Sequence, residues 1–225
     1  KNWLTKDEND DLVLDKAVIA DYISELAKKY DTVGTERTFS TYDNQEITVS
    51  GGNYGWAIDQ EKETDALYQD IMDKKTEVRK PVYEQEAQSR NTNDIGYSYI
   101  EIDLTRQRMV LYQNGSPIVD TGFAASSSTP TGVYRLGDKQ EAASVDFWMP
   151  FTDKLGIYGD SGLVITGTDL SDETGDSGDF GSSEESVDFG SSDSWMSTEG
   201  CIVLPEEQAQ TIYQNVDSGL PVVIY

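Results

Sequence analysis

The sequence predicts an α+β chain in two parts, a mixed α/β domain followed by a mostly β, sandwich-like domain. Three observations carry this. Two early stretches repeat apolar residues at three- and four-residue spacing. A polar, patternless stretch covers 76–95. Beyond it come short apolar runs separated by turn residues, with one short helix near the end.

The elements follow in order. Val18, Ile19, Tyr22, Ile23, Leu26 and Tyr30 share one helical face, which predicts a helix over 10–30, with Gly34 as its stop. Phe39 and Tyr42 precede an Asp43-Asn44 turn, and Ile47 and Val49 alternate after it, so 37–50 reads as a hairpin. Gly51-Gly52 breaks that strand. Asp59 is placed as the N-cap of a second helix reaching about Lys75, with Ala66, Leu67, Ile71 and Met72 on its apolar face. Pro81 and the lack of periodicity make 81–96 the expected linker between a domain at 1–80 and one at 97–225.

In the second domain Tyr99–Leu104 and Met109–Tyr112 read as strands. Asn114-Gly115 is a hairpin turn, and Ile118-Val119 returns from it. Further short strands are expected at Val133-Tyr134, Trp148-Met149, Ile157-Tyr158 and Val164-Ile165. Pro205 opens a helix over 205–216 with Glu206 and Glu207 in its first turn. Leu220–Tyr225 closes the chain as a strand. Residues 168–194 stand apart, rich in Gly, Ser, Asp and Glu. Asp179-Phe180-Gly181-Ser182-Ser183 returns as Asp188-Phe189-Gly190-Ser191-Ser192. This reads as an acidic insertion, a long loop or flap before the only cysteine.

The formal net charge is −25, from 17 basic and 42 acidic residues. Such a field repels nucleic acid and anionic membrane surfaces, and suits cationic partners or solubility alone. No window reaches the ~18 apolar residues of a membrane span. Lys1 starts without a hydrophobic run, so the stretch is expected to be a piece of a longer protein, with membrane contact only through an N-terminal anchor outside it. One cysteine and no histidine exclude an intrachain disulfide, a Ser-His-Asp triad and the usual zinc ligand sets. No cofactor and no metal site is expected. The acidic repeats offer carboxylates to Ca²⁺, although no full ligand cage is visible.

Five patches, in order, carry a resemblance. They are Tyr99–Leu104 with Gln107–Tyr112, Ser128-Thr129-Pro130-Thr131-Gly132, Phe147–Phe151 with Gly156-Ile157-Tyr158, Thr198-Glu199-Gly200-Cys201-Ile202, and Pro221–Tyr225. Together they resemble the catalytic domain of the L,D-transpeptidase (YkuD) family over about 97–225. Residues 1–75, with Gly51-Gly52-Asn53-Tyr54-Gly55-Trp56, resemble the peptidoglycan-binding domain that precedes it in Gram-positive members.

The resemblance implies a cysteine acyl transferase that cross-links peptidoglycan stem peptides. In the family the cysteine attacks the peptide bond after the third stem residue, D-alanine leaves, and the acyl group passes to an amine. Carried over, Cys201 is the nucleophile, Gly200 and Thr198 flank it, and Glu199 and Tyr158 stand where the family has its two histidines. Asp160, Trp195, Thr131 and Gly132 are the expected substrate contacts, with Asp160 and Glu199 able to grip a stem-peptide ammonium. The implied setting is extracytoplasmic, in the cell wall or on the anchored surface of a Gram-positive-type bacterium, as a monomer.

The residues argue against ready turnover. The thiolate is the nucleophile. A free thiol has a pKa near ~8.5, and Glu199 beside it disfavours a thiolate. Two alternatives therefore stand beside the transpeptidase. One is an impaired pseudoenzyme that binds stem peptides, and the other is an acidic, calcium-dependent surface protein. Cys201 could also be a buried structural thiol, although its Gly-Cys setting inside the family-like motif favours a pocket position.

Overall fold

The computed structural model describes residues 3–90, 93–142, 145–163, 165 and 199–225. The chain divides into two compact units, Lys1–Gly96 and Tyr97–Tyr225.

The first unit begins with a hairpin, β1 (Leu4–Lys6) and β2 (Leu12–Leu14). Helix α1 (Lys16–Tyr30) starts later than the periodicity suggested. Asp15 sets that start, because its carboxylate accepts from the Ala17 and Val18 N–H groups and caps the first turn. Strands β3 (Arg37–Ser40) and β4 (Glu46–Val49) form the expected hairpin. Strand β5 (Ala57–Ile58) leads to α2 (Gln60–Met72), capped by Asp59 as expected. Ile19, Ile23, Ala27 and Ile58 form this unit's buried cluster, with Leu67, Tyr68 and Ile71 of α2 packed on it.

Residues 81–96, expected as a linker, belong to this unit. Strand β6 (Tyr83–Gln85) pairs with β5. The Trp56 indole N–H donates to the Ser89 carbonyl, and Tyr54 Oη donates to the Asp94 carbonyl. Side-chain bonds hold this stretch, and they leave no period in the sequence. Asp94 pairs with Arg37 at 3.2 Å, both nearly buried. The Arg37 guanidinium also donates to the carbonyls of Thr32, Thr35, Tyr54 and Asn93, so its charge is fully satisfied.

The second unit is a two-sheet sandwich. One sheet is built from β7 (Tyr99–Asp103), β8 (Arg108–Gln113), β9 (Ser116–Gly122), β11 (Gly132–Arg135) and β16 (Pro221–Ile224). Its order is β11-β16-β7-β8-β9. The other is built from β10 (Ala124–Ala125), β12 (Gln140–Ala142), β13 (Val145–Pro150), β14 (Gly156–Asp160) and β15 (Ile202–Pro205), in the order β10-β15-β14-β13-β12. Ile100, Ile102, Met109, Leu111 and Ile224 from the first sheet meet Met149, Ile157, Ile202 and Leu204 from the second in one buried core. Helix α3 (Glu206–Asn215), with Pro205 as its N-cap, adds Ala209 and Ile212 to that core. The strand expected at Val164-Ile165 and the insertion at 168–194 involve residues outside those described.

Candidate active site

The alternation of two strands builds the site. Strands β14 and β15 run parallel, with Ile157 beside Ile202 and Tyr158 beside Val203. Ile157 and Ile202 face the sandwich core, so their neighbours Tyr158 and Cys201 face the opposite side of the sheet. There Val145, Trp148, Tyr158 and Cys201 form a second buried cluster, with Leu155 and Val203 packed on it. Cys201 is 1% exposed and Tyr158 is also 1% exposed.

Strand β13 contributes two members of this cluster through an irregularity. Its register with β14 shifts between Asp146 and Met149, and Phe147 sits at φ +59°. A regular strand would send Val145 and Trp148 to opposite faces, whereas the bulge lets both reach the cysteine side. A non-glycine residue at positive φ carries strain, which the contacts of the Phe147 ring with Tyr213 help to hold. Trp148 lies across Gly156: a Cβ there would meet its ring at 2.7 Å. Glycine at 156 is therefore what admits the indole.

The turn before the cysteine is fixed by hydroxyl groups. Gly200 has φ +91°, and a Cβ on it would press on Leu155 and on the Ser128 carbonyl at 3.3 Å. Its N–H donates to Ser126 Oγ at 2.8 Å, and Ser126 Oγ lies 2.7 Å from Ser128 Oγ. Ser126 is a contact that the reading of the sequence did not single out, whereas Ser128 was named there only as the start of a family-like patch. The serine run from 126 to 128 was the only signal for Ser126.

The electrostatics favour neutral groups. Burial pushes the Cys201 thiol above its ordinary value, and a hydrogen bond from the Gly156 backbone only partly offsets this. The upward direction is the one expected from the sequence. Its cause differs, since dry surroundings rather than the Glu199 charge produce it. Burial, then the nearby Cys201 and Asp160, push the Tyr158 phenol up to about 12.

The remaining expected site residues scatter. Gly200 is buried next to the cysteine, while Glu199 is exposed. Asp160 ends β14, where its carboxylate accepts from the Gly162 N–H at 2.7 Å. Thr131 and Gly132 lie at the start of β11 in the other sheet, and the Thr131 carbonyl accepts from Tyr134 Oη. Thr198 and Trp195 lie outside the described residues. Among those described, no group of three His, Cys, Asp or Glu residues is placed to hold a metal ion. No described helix is long and apolar enough to cross a membrane.

Comparison with known proteins finds a match for each of the two units. Residues 97–224 match the model of the YkuD L,D-transpeptidase catalytic domain. Residues 2–79 match that of a peptidoglycan binding domain. Among solved structures, the Ldtfm–avibactam carbamoyl enzyme is 26% identical, with 99% of this chain and 85% of that chain covered and a TM-score of 0.66. A cysteine-to-serine mutant of the Enterococcus faecium L,D-transpeptidase is 25% identical, with 99% and 87% covered and a TM-score of 0.67. None of the curated proteins compared with the chain matches it.

Proposed function

The chain belongs to the YkuD L,D-transpeptidase family, and from that premise we propose that it binds peptidoglycan stem peptides while its thiol turns over slowly or not at all. A peptidoglycan-related protein of transpeptidase type, located outside the cytoplasm or in the wall, fits both matched domains.

One observation carries the reading: Cys201 and Tyr158 share a single dry cluster in which both are held neutral. Acyl transfer needs a thiolate to attack the stem-peptide carbonyl and a base to receive the thiol proton. A phenol pushed up to about 12 is protonated at neutral pH and has no site for that proton. No imidazole can substitute, because the chain has no histidine. The Gly156 hydrogen bond to the sulfur favours the rival reading of residual turnover, since it stabilises the thiolate.

Intact-mass analysis after incubation with a carbapenem, beside a stem-tetrapeptide binding assay, tests the proposal. The expected result is peptide binding without an acyl adduct at pH 7. Tyr158→His combined with Glu199→His should then gain an adduct, because an imidazole supplies both base and cation. Complete acylation of the unaltered chain at pH 7 would support an active transpeptidase instead.

A further inference from the structure

We propose that Ser126 is a latch residue: its hydroxyl holds the Gly200 turn shut and so limits access to the Cys201 sulfur. The latch concerns the same thiol as the reading above. It adds a barrier of access to the barrier of protonation.

The sequence builds the latch locally. Strand β10 ends at Ala125, which pairs with Ile202, so the next residue along, Ser126, stands level with Cys201. Ser126 then folds back, its carbonyl accepting from the Thr129 N–H at 3.1 Å. The turn consists of three serines and a threonine, short polar residues suited to that geometry. Buried Thr129 anchors its far end, while Ser126, Ser127 and Ser128 stay exposed. Across from it, Gly200 at φ +91° departs from the extended line of β15. The Gly200 N–H then meets a side-chain oxygen, Ser126 Oγ, at 2.8 Å. Ser128 Oγ lies 2.7 Å from Ser126 Oγ, so the two hydroxyls share a proton donor and Ser126 keeps a lone pair for the glycine.

Gly200 is gripped from two sides of unlike chemistry. A Cβ on it would stand 3.3 Å from a Leu155 methyl and 3.3 Å from the Ser128 carbonyl. Leu155 also packs on the cluster that contains Cys201. Cys201 directly follows Gly200 and precedes Ile202, the first residue of β15, which is paired on both flanks. The cysteine therefore moves with the turn and not with the sheet. At 1% exposure its sulfur meets no reagent while the turn stays shut. The Leu155 side of the grip is apolar. The serine side is a hydrogen bond at an exposed hydroxyl, whose net worth is small. Losing it leaves the fold in place and raises only the fraction of time the turn is open.

The test is the initial rate of iodoacetamide alkylation of the whole chain, read by intact mass. Ser126→Ala should raise that rate about three- to tenfold, the worth of one hydrogen bond. The factor should be the same at two pH values below the titration midpoint, because the latch governs opening and not protonation. It should also stay level in urea below the unfolding transition, as local opening does. Ser126→Thr keeps the hydroxyl and should stay within about twofold of the unaltered chain. An unchanged or slower rate in Ser126→Ala overturns the latch. So does a rise that Ser126→Thr shares, one that grows with urea, or one that comes from a lowered midpoint. The stem-peptide reading is judged by peptide binding, which none of these rates involves, so the two fail separately.

Discussion

Among the described residues the most buried ion pair and the buried thiol lie in different units, although each unit also carries ion pairs nearer its surface. The first unit keeps its charges and pairs them. Arg37 is saturated by Asp94 and four carbonyls, and Arg79 bridges Glu63 and Asp70. Asp59 and Asp70 are held below the ordinary carboxylate range by hydrogen bonds from Lys62, and from Lys75 and Arg79. In the second unit, burial holds the Cys201 thiol and the phenols of Tyr99, Tyr134 and Tyr158 neutral. The lesson concerns the cysteine. The dry sheet face that stabilises the second unit also disfavours the thiolate that cysteine acyl transfer would require.

The sharpest way to break the comparison is to leave a charge unpaired in the first unit. Arg37→Met strands the Asp94 carboxylate and four carbonyls, and should cost about 3–5 kcal/mol in urea unfolding. The matching lesion in the second unit is Trp148→Ala. It removes the largest side chain beside Cys201 and should also cost about 3–5 kcal/mol. Unlike the first, it should speed alkylation of Cys201 by admitting water.

Gly156→Ala comes next. Its Cβ would stand 2.7 Å from the Trp148 ring and 2.8 Å from the Met149 carbonyl. Overpacking of this kind costs about 1–3 kcal/mol. It would also disturb the donor that partly stabilises a Cys201 thiolate, so alkylation at fixed pH should slow.

A pH series separates the units more gently. Tyr158 keeps its proton after the unfolded chain has lost its own, so its contribution is complete below the ordinary tyrosine value. It fades as pH rises from ~10 towards about 12. The lowered Asp59 and Asp70 work in the opposite sense: their contribution is present above ~3.9 and fades as pH falls below it. Asp31, raised by burial, runs against them. Peptide-resolved hydrogen exchange should show the second unit loosening first in alkali. The smallest effect belongs to Asp120→Asn, which opens the Arg108 pair on the partly exposed outer sheet and should cost about 0–1 kcal/mol by urea titration.

Much of this division was legible in the residues. Asp59 announced α2, Asn114-Gly115 announced the β8–β9 hairpin, and Ile157-Tyr158 announced β14, whereas no strand was expected at Ile202–Pro205. The short hairpin strand Leu12–Leu14 was read as helix, since its apolar run merges with the face of α1. The stretch 81–96 looked like a linker because its order comes from Trp56, Tyr54 and Arg37 reaching back in space. The parallel pairing of β14 with β15 joins strands far apart in sequence, and no local pattern encodes it. That pairing puts Tyr158 beside the cysteine. The position of Tyr158 in the family-like motif was readable, while the dryness around it was not.

The central claim is that burial holds the Cys201 thiol protonated at neutral pH. Iodoacetamide alkylation of the folded chain against pH, followed by intact mass, measures this directly, with the urea-unfolded chain as the internal reference. The unfolded thiol should titrate near ~8.5. The folded midpoint should lie clearly above that value. A folded midpoint below about 7 would mean an activated thiolate, and would contradict the account.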